Sequence, residues 1–401
     1  MSADKRESRK KPIEIEKLCR ARLTTAVSSS SFCLTKMEEC VSSSRVDETQ
    51  ATEAGRPSDL NVQAVATHLA GHGMALDVDA GALRLSGGLS NLNYLVRVDG
   101  APAVLRRPPG GPLPPGAHDM RREHRVLSRL GDAFPQAPRS FHLCEDVTVI
   151  GVPFQLLEYR TGLSIRGDRL PGAFGAVQCR TLSLKLVETL AALHAVDPAQ
   201  VGLGDFGRPD GFFARTVAGW HRRGSQVAQD ARAQAAMDRI GDWLSRRQPG
   251  ALAPTLLHSD FKLDNCMLDD EFRVTTVLDW DMSTRGDPLM DLATLLSYWT
   301  EPDDPDCMHR LAQMPTARPG FLSRAEVAEA YADATGRAIH DLPAWRILAM
   351  FKLGVVFLQL HRNWAGGVAG DESYAGFATL GSDLIDFTLA SLDRKRVGIP
   401  T

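Results

Sequence analysis

The stretch Leu257-His258-Ser259-Asp260-Phe261-Lys262-Leu263-Asp264-Asn265 fits the pattern H-x-D-x-x-x-x-N. Fourteen positions after Asn265, the apolar pair Val277-Leu278 delivers Asp279, ahead of Trp280-Asp281. Two carboxylates and an amide at this spacing suit the transfer of a phosphoryl group. That transition state is loose, so the protein supplies positioning and charge neutralisation. Asp260 is placed to accept or orient the proton of an acceptor hydroxyl. Asn265 and Asp279 offer a neutral and a charged oxygen, the hard donors that Mg²⁺ prefers. Lys262 sits where a cation would steady the transferred group, and His258 reads as structural, tying the loop to its surroundings.

This constellation resembles the aminoglycoside phosphotransferase family, a branch of the protein-kinase-like fold. Gly286-Asp287-Pro288-Leu289-Met290-Asp291-Leu292-Ala293 is similar to the family's G-D-P-x-x-D-L-A segment, in which the resemblance gives Asp291 a structural, supporting role. Leu193-His194-Ala195-Val196-Asp197 resembles the end of a family helix, and the likeness covers about residues 61–396. Ala103 to Gly110, Ala117-His118-Asp119 and Leu278 to Asp281 are most similar to a subgroup found in bacteria and fused to animal acyl-CoA dehydrogenases. They look less like the antibiotic-resistance enzymes. The resemblance implies an α+β, bilobal fold with a small antiparallel-sheet N-lobe and a larger helical C-lobe. It also implies ATP- and Mg²⁺-dependent transfer of a γ-phosphate to a hydroxyl of a small molecule, such as a hydroxyacyl-CoA or a related metabolite. An aminoglycoside as acceptor stays open, as does a catalytically silent nucleotide-binding pseudokinase or scaffold. A protein kinase fits worse, because Asp281 replaces the Gly of D-F-G and no A-P-E segment follows.

The nucleotide side is expected earlier in the chain. Ser86-Gly87-Gly88-Leu89-Ser90-Asn91 lies between strands; Gly87 and Gly88 would let the backbone approach phosphates, with Ser90 and Asn91 as side-chain donors. The next strand should carry a Lys that pairs with phosphates and with a helix Glu. The chain has nine Lys against 37 Arg, and none lies between Met37 and Leu184. Arg106 therefore takes that role, with Arg107 turned to the other face of the strand, and Glu123 is the helix partner. Arg is always charged and forks two donors at phosphate, so the exchange is chemically sound. Glu158, at the end of Pro153 to Tyr159, is placed by position alone at the hinge that would meet adenine.

These residues need elements to hold them. Val62, Val65, Ala66 and Leu69 fall at helical spacing. Residues 82–86, 93–98, 102–106, 141–147 and 154–158 read as strands, with Asp99-Gly100 as a hairpin turn, and about 117–130 as a helix. After Tyr159 helical stripes dominate, among them Leu182, Leu186, Leu190 and Leu193, and later Ile347 to Leu360. Strands followed by helices argue for α+β. We expect an N-lobe over 61–158 and a C-lobe over 159–401, preceded by a disordered extension over 1–60 with mixed charges and Ser tracts.

Composition excludes other classes. Forty-six basic against 49 acidic residues give a net charge of −3, which is no footprint for nucleic acid. No run of about 18 consecutive apolar residues suggests a membrane span. Seven scattered Cys, at 19, 33, 40, 144, 179, 266 and 307, without a C-x-x-C pair fit reduced thiols in the cytoplasm. The acceptor is the least legible part. Glu301, Asp303, Asp304 and Asp306 form an acidic run that would attract a polycation or lie in a solvated loop. Trp299, Arg285, His361, Arg362 and Trp364 are alternative pocket residues.

Overall fold

A computed structural model describes residues 59–85, 91–110, 118–172, 174–367 and 372–392. The first elements are helix α1 (Val62–Ala70), strands β1 (Leu83–Arg84), β2 (Leu92–Val98) and β3 (Ala101–Arg107), helix α2 (Met120–Leu130), and strands β4 (Ser140–Cys144) and β5 (Phe154–Glu158). The five strands form one antiparallel sheet in the order β1-β2-β3-β5-β4. Asp99 and Gly100 both have positive φ, 51° and 79°, the geometry of a tight hairpin turn. That turn pins the register so that Asn93, Arg106 and Gln155 lie side by side on one face. Their neighbours face the other way. Tyr94, Val96, Ala103, Leu105, Phe154 and Leu156 are buried with Val65 and Leu69 of α1. The period of two thus gives this sheet an apolar face under α1 and a polar face under α2.

The rest is mostly helical. Strand β6 (Leu163–Ser164), helices α3 (Ala176–Ala195), α4 (Phe212–Val227) and α5 (Ala231–Ser245), and strands β7 (Thr255–Leu257), β8 (Cys266–Leu268), β9 (Val274–Val277) and β10 (Thr284–Gly286) come first. Helices α6 (Leu289–Tyr298), α7 (Asp306–Leu311), α8 (Arg324–Thr335), α9 (Leu342–Ala365) and α10 (Phe377–Ala390) follow. The short strands make two small antiparallel sheets, β10-β7 and β6-β8-β9. A second, larger core joins these helices, and the α2 residues Val126, Leu127 and Leu130 belong to it. The fold is the α+β arrangement expected, and the strand ends shift by one to three residues.

Two details differ from expectation. Asp59 and Leu60, assigned to the extension, are built into the sheet: Leu60 is in the apolar core, and Asp59 pairs with Arg107 at 2.5 Å and with the Tyr94 hydroxyl. Residues 1–58 lie outside the described residues. Helix α9 is long and apolar enough, by length and composition, to cross a membrane. Its apolar window is 83% buried within the molecule, the place of a core helix. Counting only unbroken apolar runs hides it, because Arg346 and Lys352 interrupt the sequence.

Candidate active site

The segment from β7 through Asn265 forms a loop closed by a short 3₁₀ turn at Leu263–Asn265. Its backbone is held from below by Asp291 of α6. One carboxylate oxygen accepts from His258 N and the other from Ser259 N, both at 2.7 Å. Asp291 is fully buried and lies 3.4 Å from His194 Nε2, whose Nδ1 meets the Tyr331 hydroxyl at 2.7 Å. These donors fix Ser259 in the left-handed region, φ 68°, a conformation that tertiary contacts must enforce on a non-glycine residue.

Asp260 follows. The Tyr298 hydroxyl donates to its Oδ1 at 3.1 Å, and Asn265 Nδ2 donates to its Oδ2 at 3.1 Å and to its backbone carbonyl at 2.9 Å. Lys262 Nζ lies 3.3 Å from Oδ2 and over the Tyr298 ring at 4.7 Å. Burial alone would push the Asp260 carboxyl up. Lys262 and Lys352 outweigh it and hold the group below the ordinary carboxylate range. The same pairing holds the Lys262 ammonium protonated against its own burial. Lys352, from the middle of α9, donates to the Ser259 carbonyl at 2.6 Å, and its burial lowers its pKa. Asn265 spends its NH₂ on Asp260, and the amide oxygen is the atom left to take a cation.

The loop is sewn to the segment carrying Asp279. His258 Nε2–H donates to the Leu278 carbonyl at 2.8 Å, Leu278 N donates to the Asn265 carbonyl at 2.8 Å, and His258 Nδ1 accepts from Asp260 N at 3.3 Å. Asp279 has φ 67°, which Asp tolerates better than most residues. Its carboxylate pairs with an Arg106 terminal nitrogen, while Arg106 Nε lies 2.8 Å from Glu123 Oε2. Glu123 is 1% exposed and also accepts from Gln155 Nε2 at 2.5 Å and from Trp280 N at 3.1 Å. Burial raises the Glu123 carboxyl, and Arg106 partly offsets that. Arg106 thus bridges α2 and the Asp279 loop from the polar face of the sheet. Asp279 is the more accessible partner, at 32% against 1% for Glu123. The Asn265 oxygen and the Asp279 carboxylate make a hard-oxygen donor set that fits Mg²⁺.

Several residues behave otherwise than the sequence suggested. Gly87, Gly88 and Ser90 lie outside the described residues. Asn91 is buried, and its side chain turns inward: Nδ2 donates to Asp281 at 3.4 Å, and its amide oxygen is 2.9 Å from His118 Nδ1. It is committed to packing the loop, not free to reach a phosphate. Glu158 is likewise spent. Its carboxylate accepts from Arg139 N at 3.1 Å and Arg160 at 2.9 Å, and its own N–H donates to the Arg139 carbonyl at 2.8 Å. In the acidic run, Glu301 and Asp304 clamp the buried Arg324, and Asp306 pairs with Arg310. Glu301 and Asp304 are thus spent inside the molecule, whereas Asp303 and Asp306 stay exposed, as in the solvated loop that the sequence also allowed. Trp299 is core, its indole N–H donating to the Leu322 carbonyl at 2.9 Å.

An open pocket of about 380 Å³ lies instead along α4, lined by Gly207, Arg208, Arg215, Trp220, Arg223 and Thr284 among others. Arg223 stacks on Trp220, 4.6 Å from the ring centroid, and Lys352 Nζ is 6.0 Å from the same ring. Through Lys352 the pocket wall reaches the Asp260 loop. Gly207 is needed there: with φ 67°, a Cβ would lie 2.5 Å from Thr284 Oγ1. Tyr298 and Lys352 were not singled out in the sequence, and Asp281 was singled out only for standing in place of the Gly of D-F-G. Asp281 is buried, and burial reinforced by Asp279 and Glu123 pushes its carboxyl up to about 7. An ammonium in an apolar helix was the one available signal, at Lys352.

A strand Arg bridging a helix Glu and a loop Asp, above a helical lobe bearing the H-x-D-x-x-x-x-N loop, defines a phosphotransferase of the protein-kinase-like class. The model of the phosphotransferase enzyme family, APH, matches residues 81–349, about two thirds of the chain, and the chain belongs to that family. It is 33% identical over 320 residues to acyl-CoA dehydrogenase family member 11 of Gallus gallus, covering 75% of this chain and 39% of that protein. It is 26% identical over 330 residues to the probable acyl-CoA dehydrogenase IBR3 of Arabidopsis thaliana, covering 77% and 40%. The chain thus spans about two fifths of the length of these relatives. Among solved structures, one assigned as an aminoglycoside phosphotransferase from Ralstonia eutropha superposes with TM-score 0.67 at 26% identity, over 82% of this chain and 97% of the other. Aminoglycoside phosphotransferase APH(4)-Ia, solved with ADP and hygromycin B, shares the fold at TM-score 0.54 and 19% identity, over 83% and 100%.

Proposed function

We propose that this protein is an ATP- and Mg²⁺-dependent kinase that moves the γ-phosphate to a hydroxyl of a small anionic molecule, a hydroxyacyl-CoA or a related metabolite. The observation that carries the reading is the convergence of Asp260, Asn265 and Asp279 on one corner, with Arg106 held there by Glu123. In this reading Mg²⁺, held by Asn265 and Asp279, would neutralise charge between the phosphates. Asp260 receives the acceptor proton, Lys262 steadies the transferred group, and Arg106 is placed to bind the nucleotide phosphates. The arginines of the α4 pocket favour an anionic acceptor over a polycationic aminoglycoside, because Arg pairs with carboxylate or phosphate in fork geometry. The relatives' names point to acyl-CoA chemistry. The four thiols among the described residues, Cys144, Cys179, Cys266 and Cys307, are unpaired, which supports a reducing compartment such as the cytoplasm.

One observation favours a second reading. Arg106 occupies both Glu123 and Asp279, an arrangement that would suit a catalytically silent nucleotide-binding module. An ATP-consumption screen with Mg²⁺ over hydroxyacyl-CoAs, amino-alcohols, sugars and aminoglycosides separates the readings. Turnover with an anionic acyl acceptor, lost in Asp279→Ala, is the expected result. Nucleotide binding without turnover on any acceptor would establish the silent module.

A further inference from the structure

On the far face of the sheet from Glu123, three imidazoles meet. His68 is in the last turn of α1, and His72 follows one turn later, just beyond the helix. Their spacing of four places both on one side of the helix end. His142 comes from β4, the edge strand of the sheet. A ring nitrogen of each lies within 4.8 Å of those of the other two. His68 Nε2 and His142 Nε2 are 2.9 Å apart. Ring centroids are separated by 4.5 Å for His68–His72, 4.7 Å for His72–His142 and 5.1 Å for His68–His142. Phe154 closes the inner side, edge-on to His68 at 5.7 Å. His72 is exposed and the other two are half-buried.

The outward nitrogens are already engaged. His72 Nδ1 lies 3.0 Å from the His68 carbonyl, which accepts only a proton donor, so Nδ1 carries the hydrogen and Nε2 keeps the lone pair. The Cys144 thiol donates to the Asp146 carbonyl, with sulfur and oxygen 3.7 Å apart, and its sulfur lies 3.9 Å from His68 Nδ1. Sulfur therefore faces an N–H, and His68 Nε2 keeps its lone pair as well. Backbone or side-chain acceptors on the remote imidazole nitrogen are what orient metal-binding histidines elsewhere. Cys144 approaches the far side of the His68 ring, so it orients that ring and does not join the three nitrogens.

We propose that His68, His72 and His142 form a transition-metal site, suited to Zn²⁺, that clamps the end of α1 to the edge strand β4. Imidazole nitrogens select Zn²⁺, Ni²⁺ or Cu²⁺ and not Mg²⁺, so this site is chemically distinct from the oxygen donors Asn265 and Asp279. Three nitrogens leave the fourth position on the exposed His72 side, open to water. Tetrahedral Zn²⁺ with bonds of about 2.0–2.1 Å sets its nitrogens about 3.3 Å apart. The His68–His142 pair then opens by a few tenths of an ångström as the ion replaces the shared proton. The clamp ties α1 to β4, which among the described residues is an edge of the sheet.

The test uses the untagged full chain, stripped with a chelator and titrated with ZnCl₂ against a chromophoric competitor. We expect one ion bound per chain, a raised thermal midpoint, and no displacement by excess Mg²⁺. His72→Ala, at an exposed position, and His142→Ala should each weaken Zn²⁺ by about 100-fold and abolish the midpoint shift. In the wild type, Zn²⁺ should move the Nε2 resonances of His68 and His142, a readout independent of folding. Wild-type affinity in both variants, unmoved Nε2 resonances, or displacement by Mg²⁺ would each overturn the site and leave the His68–His142 contact a simple hydrogen bond.

Discussion

The loop around Asp260 and the corner around Arg106 face the same chemistry but are built differently. The loop is held mostly by neutral and charge-assisted hydrogen bonds to its own backbone: Asp291 on two N–H groups, Lys352 on a carbonyl, His258 and Asn265 on neighbouring chain. The corner is held by side-chain ion pairs spanning β3, α2 and the Asp279 loop. Backbone anchors leave the loop one arrangement. In the proposed function the Arg106–Asp279 pair would have to open before Asp279 could hold a cation, which would give the corner two. In the terms of the proposed function, the difference teaches that the part that would receive the proton is preset, whereas the part that would hold nucleotide and metal would be assembled on binding.

Asp260→Asn tests the preset loop most severely. It should lower kcat by about 100- to 10,000-fold, the range for loss of a general base, with nucleotide affinity little changed. Equal loss in both would erase the distinction between the two regions. Arg106→Ala should raise the KM for ATP by about tenfold or more. It also leaves Glu123 buried without its cation, which costs about 3–5 kcal/mol in unfolding experiments. Arg106→Lys, which keeps the charge, should recover most of the stability but less of the KM, since the fork to two carboxylates is lost. An unchanged KM in Arg106→Ala would remove Arg106 from the nucleotide site.

Asp291→Asn should cost about 1–3 kcal/mol, because one of its two backbone partners then meets an NH₂ group. It should lower kcat while the KM for ATP stays constant, as befits an anchor of the loop alone. The loop also has a pH signature. The Asp260 pKa is lowered in the folded state, so its contribution to stability is present above the unfolded value of 3.8 and is lost as pH falls through the folded value. Urea unfolding at neutral and acid pH should therefore show a shallower acid decline in Asp260→Asn than in the wild type. The smallest effect is expected for Glu158→Gln. Its side chain only ties Arg139 and Arg160, so nucleotide KM should stay within about twofold and stability within about 1 kcal/mol.

What was legible in the sequence follows the same division. Asp260, Lys262 and Asn265 sit within six residues, and their spacing survives into the fold because a single loop carries them. Arg106 was found from the lack of Lys and from strand alternation, and Glu123 as the helix partner that such a strand cation calls for. Tyr298 and Lys352 arrive from helices 38 residues beyond Asp260 and 93 beyond Ser259. No spacing rule encodes which face of a distant helix meets a loop. The acidic run was legible only in part for a related reason: the exposed Asp303 and Asp306 fit a solvated loop, but the buried Arg324 that claims Glu301 and Asp304 does not declare itself as their partner. Asn91 and Glu158 were assigned by position, and hydrogen bonds to residues that no spacing reveals, Asp281 and His118 for Asn91 and Arg139 for Glu158, claimed both.

Helix α9 has a consequence for how the chain is made. It packs against α4 and α6, which precede it, and most extensively against α10, which follows it. During synthesis α9 leaves the ribosome before α10, carrying an apolar span of membrane-like length. For that interval the nascent chain presents the surface that insertion machinery and chaperones recognise. The helix that delivers Lys352 to the Asp260 loop thus completes its burial only after α10 has followed it out, and the loop gains that anchor no earlier.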